Sequence, residues 1–167
     1  MQSRTIWPLP LILIFAVALQ STWLAHFTLA GGHIDLPLLT VVSVALELGW
    51  EVGLCYGMTA GIATGIVSDY HLGSFLVSRG APGGICGLFD TLMSRDNPLA
   101  PVLAAAGATV LSNFVYAAMS PTDYGPWWWL KHTLAIAAVH AILVWPVHWC
   151  IRRLVAPVSL ATYSLRP

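Results

Sequence analysis

A chain of 167 residues is the size of one domain, but 57% of it is hydrophobic, 8% is charged and its mean hydropathy is +0.77. A soluble domain carries about a quarter charged residues, so seven basic and seven acidic side chains cannot form a hydrated shell around a core. The composition is that of a membrane protein and excludes a soluble enzyme. The two signs cancel, leaving no basic field to hold nucleic acid.

Crossing about 30 Å of hydrocarbon takes roughly 20 apolar residues in a helix. The first candidate, residues 7–27, is uncharged, with only Gln20, Ser21, Thr22 and His26 as polar interruptions. Arg4 and the small residues Ala16-Val17-Ala18 would also suit a signal peptide, but the apolar run continues past them through Trp23-Leu24-Ala25. Gly31, Gly32 and Pro37 mark a turn, and a short second segment, 34–48, follows. The third, 52–69, is rich in glycine. The fourth, 73–93, contains Arg79, Pro82, Asp90 and several glycines, which predicts a kinked or partly re-entrant helix. After the polar turn Arg95-Asp96-Asn97-Pro98 come a fifth segment, 99–119, and a sixth, 133–151.

The expected fold is therefore all-α: one integral membrane domain over residues 1–167 with six transmembrane helices. An even number of spans puts both termini on one side. Arg4, Arg95, Arg152, Arg153 and Arg166 would share that side, with Lys131 opposite, so the positive-inside rule makes the termini cytoplasmic. Trp127-Trp128-Trp129 and the pair Trp145 and Trp149 then fall near the two membrane boundaries, where indole rings prefer to rest.

Gly49, Gly53, Gly57, Gly61 and Gly65 recur at intervals of four, and Asp69 and Gly73 continue the register. Four residues is just over one helical turn, so these positions form a slowly drifting stripe. Small residues on a stripe let another backbone approach closely, either within the bundle or on a partner helix. Leu54 is expected to face lipid. Arg79 is costly in a bilayer unless it is paired, and Asp69 is the expected structural partner. Asp90 has Glu47, Arg95 or water as its candidate contacts. His140 and His148 sit among Trp145, Pro146 and Trp149, which suits an interfacial helix end.

No chemistry of catalysis is visible. There is no Gly-x-Ser-x-Gly elbow, no His-Glu-x-x-His and no glycine-lysine phosphate loop. Asp69, His71, His26 and His33 lack the i, i+4 spacing of a metal pair. Cys55, Cys86 and Cys150 lie far apart in apolar runs and read as small hydrophobes. Neither catalytic residues, nor a cofactor, nor a metal site is expected.

The run from Leu19-Gln20-Ser21-Thr22, through Ile34-Asp35-Leu36 and the glycine ladder, to Asp69-Tyr70-His71-Leu72-Gly73 resembles the rod-shape-determining membrane protein family MreD. Gly83 and Gly87 look like the small pair of that family's fourth helix, and Asn97-Pro98 like its cytoplasmic turn. The match covers roughly the first hundred residues; the rest agrees in length and hydropathy. The chain departs from the family pattern at Ile34, Glu47, Glu51, Arg79 and Asp90. The resemblance implies a six-helix protein of the bacterial inner membrane, similar in fold to the substrate-binding component of energy-coupling-factor transporters. Its implied partners are the bitopic protein MreC, a RodA-type glycosyltransferase with a penicillin-binding transpeptidase, and, indirectly, MreB. On this reading Gly49, Gly53, Gly57, Gly61, Gly65, Gly73, Gly83 and Gly87 serve helix packing or partner binding, while Gln20, Asp35, Asp69 and Arg79 are structural polar residues. The competing class is a transporter component with a small ligand in an outward pocket. The short outer segments Thr28–Asp35 and Tyr70–Ser74, poor in hydrogen-bond donors, argue against it.

Overall fold

The computed structural model describes residues 7–26, 28–29, 32–68, 71–92, 97–120 and 125–155. Among these residues six helices form in chain order: α1 Pro8–Thr22, α2 Leu36–Leu48, α3 Trp50–Ser68, α4 Leu72–Leu92, α5 Leu99–Met119 and α6 Pro126–Val155. A single 3-10 turn, Leu24–His26, extends α1. It is followed by a minimal antiparallel hairpin, β1 Thr28–Leu29 against β2 Gly32–His33, with Thr28 opposite His33. Three helices are long and apolar enough to cross a membrane: α1 with its extension, α5 and α6. α2 is apolar but has only 13 residues, about 20 Å at 1.5 Å per residue. α3 and α4 have the length, but glycine, serine and threonine dilute their hydropathy.

α2 is the axis of the bundle. Every residue from Pro37 to Leu46 is buried, because helices pack around it on all sides. One apolar cluster joins Leu39, Val42 and Ala45 to Cys86 of α4, Ala105 and Ala108 of α5 and Val144 of α6. A second joins Val41 and Val44 to Leu9 of α1, Tyr56 and Ala60 of α3 and Ile151 of α6. α1 is the peripheral helix: Leu11, Ile14 and Phe15 are each about two-thirds exposed. Cys86 is buried, whereas Cys55 and Cys150 are exposed on the bundle surface.

One expectation changes here, the start of α6. α4, expected to be kinked or partly re-entrant, continues as a helix through Pro82. Proline removes a single backbone donor, and the close packing of α3 holds the turn in place. α6 starts at Pro126 rather than 133 and runs for 30 residues, so Trp127-Trp128-Trp129 form its first turn instead of a loop.

Candidate functional site

The site forms where α2 begins. A helix start exposes backbone N–H groups with no partner inside the helix, and α2 starts inside the bundle, where leaving them unpaired is costly. Each is answered by a side chain or by the helix itself. The Asp35 N–H donates to His140 Nε2 of α6 at 2.9 Å. The Leu36 N–H donates to Gln20 Oε1 of α1 at 3.0 Å. Pro37 has no N–H to satisfy, and the Leu38 N–H donates to Asp35 Oδ1 at 3.0 Å, an N-cap made by the residue's own carboxylate. The Leu39 N–H then closes the first turn onto the Asp35 carbonyl at 3.2 Å.

The second carboxylate oxygen of Asp35 accepts from Arg79 Nη2 of α4 at 2.6 Å. Arg79 is only 4% exposed, and its guanidinium also lies over the Phe75 ring, 4.8 Å from the centroid. Its Nε has no hydrogen-bond partner among the described residues. The bonds of His140 fix its state. Nε2 accepts a backbone N–H and so carries no proton. Nδ1 therefore bears the hydrogen and donates to Thr109 Oγ1 of α5 at 2.8 Å, and Thr109 donates onward to the Ala105 carbonyl at 2.7 Å. α1, α4, α5 and α6 are thus tied to the head of α2 by one polar network.

That network borders a cavity of 630 Å³ whose polar lining includes Gln20, Asp35, Arg79, Ser112, Asn113 and Tyr116. At the opposite end of α2 a smaller, mostly apolar cavity of 270 Å³ lies between α2, α4 and α5, with Glu47 and His148 at its edge. Glu47 faces His148 Nε2 at 3.6 Å and Arg152 Nε at 3.9 Å. Among the described residues no three His, Cys, Asp or Glu side chains gather as metal ligands would.

The glycine ladder lies mainly between α3 and α4. A Cβ on Gly53 would collide with the Gly83 carbonyl, one on Gly57 with the Arg79 carbonyl and one on Gly61 with the Phe75 carbonyl; one on Gly65 would press on Leu72. From the other side, a Cβ on Gly83 would strike Gly53 and one on Gly87 would strike Trp50. The two ends of the register differ. Gly49 lies outside α3 as the C-cap of α2, with φ +88°, and a Cβ on Gly73 would meet nothing within 4 Å. Leu54, expected to face lipid, is part-buried and packs beside Gly84 of α4.

Asp69, the expected partner of Arg79, lies outside the described residues, as does the side chain of Asp90. Among the described residues Arg79 is paired with Asp35, because, two turns into α4, it is level with the buried start of α2. His140, expected at an interface, is fully buried and central. The donors and acceptors of the large cavity come largely from within helices, such as Arg79 of α4 and Asn113 of α5, rather than from the short outer segments. The signal available in the sequence was Asp35 itself, an acid at the head of an apolar segment too short to reach water at both ends. No family model, curated protein or solved structure matches the chain.

Proposed function

We propose that this chain is a non-catalytic, multi-pass membrane scaffold of the MreD kind. All six helices cross the bacterial inner membrane, and both termini are cytoplasmic. It engages an MreC-like bitopic protein and, through it, a RodA-type glycosyltransferase and penicillin-binding transpeptidase, with MreB further away. One observation carries the reading. The residues on which the resemblance rests, Gln20, Asp35 and the glycines from Gly53 to Gly65, are the ones that fasten helices to each other. These residues tie helices together, which suits a rigid body presenting helix faces to other membrane proteins. The apolar face of α1 at Leu11, Ile14 and Phe15 is the surface such a partner helix would meet.

Affinity purification of the full chain in mild detergent tests this. An MreC-like protein in the eluate supports it. The alternative, a substrate-binding component of a vitamin-type transporter, draws on the 630 Å³ cavity, within the usual range of small-molecule sites. An energy-coupling ATPase module in the eluate, in place of MreC, would select it. Reporter fusions after Asn97 and after Asp123 should report opposite sides of the membrane; the same side for both would end the six-span reading.

A further inference from the structure

The large cavity asks for an occupant of particular charge. Asp35 and Arg79 stand at its wall 2.6 Å apart, one anion and one cation that neutralise each other. A ligand with net charge would leave one charge uncompensated away from water, which is strongly unfavourable. Yet the pair retains capacity on both sides. A carboxylate can accept at further lone-pair positions beyond the Leu38 N–H and Arg79 bonds. The Asp35 side chain keeps 23% of its surface exposed, and Arg79, which also lines the cavity, gives Asp35 one of its five N–H donors through Nη2. A molecule that carries both signs matches this pair, its ammonium meeting Asp35 and its acid anion meeting the guanidinium. Asn113 and Tyr116 also line the cavity and offer neutral hydrogen bonds. The lining runs from Ser21 near the end of α1 and Ser68 at the end of α3 to Arg79; an opening toward that end of the bundle would admit head groups and solutes alike.

We propose that this cavity binds a net-neutral zwitterion made of a primary ammonium and a phosphodiester, supplied either as the head group of phosphatidylethanolamine or as a free small molecule of that chemistry. The site goes beyond the scaffold reading and does not depend on it. A primary ammonium donates N–H bonds to a carboxylate; the quaternary ammonium of phosphatidylcholine has none to donate. Phosphatidylglycerol brings a net negative charge without the counter-cation.

The test uses the full chain, delipidated and placed in nanodiscs of phosphatidylglycerol with equal parts phosphatidylethanolamine and phosphatidylcholine, with retained lipid counted by native mass spectrometry. In a second arm, free glycerophosphoethanolamine, a phosphodiester zwitterion of zero net charge, is titrated into delipidated protein in detergent and the melting temperature is followed. Retention of phosphatidylethanolamine over phosphatidylcholine by roughly tenfold, the effect of about one charge-assisted hydrogen bond, assigns the lipid source. A raised melting temperature with glycerophosphoethanolamine and no lipid preference assigns the free molecule, and both results together assign the head group in either form. Ser21→Phe controls for folding: Ser21 is exposed, its hydroxyl bonds only within α1, and it lines the cavity away from the ion pair. A phenyl ring there should fill the cavity and abolish the preference while the melting temperature without ligand stays near wild type. Asn113→Leu is the second variant, since the Asn113 amide makes only a long 3.4 Å bond to Thr133, and it should weaken retention. Equal retention of all three lipids with no response to glycerophosphoethanolamine overturns the proposal. So does a preference that survives both variants.

Discussion

α4 is fastened twice, and the two fastenings work by opposite means. Against α3 it is held by the absence of side chains: Gly53, Gly57 and Gly61 let the backbones meet where a single Cβ would strike a carbonyl oxygen. Against the head of α2 it is held by the presence of one, Arg79, paired at 2.6 Å with Asp35. Both lie on the same helix and even share a residue, because the carbonyl that faces Gly57 belongs to Arg79. A steric seam fails when atoms are added and a polar tie fails when atoms are removed. Where hydrophobic drive between helices is weak, close packing and paired polar groups do the holding.

The largest effect should come from adding to the seam. Gly61→Leu puts a branched side chain where the Cβ alone already meets Phe75 and Leu76. It should cost about 3 kcal/mol or more, beyond the usual 1–3 kcal/mol of overpacking, because backbone rather than a side-chain tip must move. Denaturant melts in detergent measure it, and a near-wild-type midpoint would show that α3 and α4 separate freely.

Removal from the tie comes next. Asp35→Asn or Arg79→Gln leaves a charge buried without its partner and should cost roughly 3 kcal/mol. The double variant should lose less than the sum of the two single losses. Strict additivity would show that the pair is not coupled. His140→Phe is a smaller removal. It strips the acceptor from the Asp35 N–H and the donor from Thr109, for a loss of about 1–3 kcal/mol.

At the far end of α2 the same logic predicts little. Glu47 stands 3.6 Å from His148 and 3.9 Å from Arg152, and Arg152 is 55% exposed. Glu47→Gln should therefore change stability by less than about 1 kcal/mol. A loss as large as that of Asp35→Asn would erase the distinction between the two ends. The smallest change sharpens the seam itself. Gly73 is in the ladder's register but has open space around it, so Gly73→Ala should be neutral or slightly stabilising, since alanine favours a helix over glycine by up to about 1 kcal/mol. A loss there comparable to that of Gly61→Leu would mean that register, not contact, defines the stripe.

Helices were the legible part of this molecule, and their ends less so. Long apolar runs bounded by Gly and Pro mark α1, α3 and α5 to within a few residues, because helix formation and its punctuation are local properties. α6 escaped its expected bounds because Pro126 at a helix start and the tryptophans after it read as a loop until they are seen to continue the helix. Gly53, Gly57 and Gly61 are legible as a packing stripe, but periodicity alone extended it to Gly49, where the chain turns out of α2 at φ +88°, and to Gly73, where it touches nothing.

By itself the sequence determined the composition that demands a membrane setting, the stretches that become helices, and a strip of glycine on which backbones can meet. Tertiary structure alone decided the partner of Arg79, the burial of His140, and the gathering of Gln20, Asp35 and Asn113 around one cavity. Spacing along a chain reports which residues share a helix face, whereas the depth at which two helices meet depends on how all of them pack. α2, too short to carry its own N-terminus to water, drew its hydrogen-bond partners from α1 and α6, and that requirement belongs to the packed bundle rather than to any segment of it.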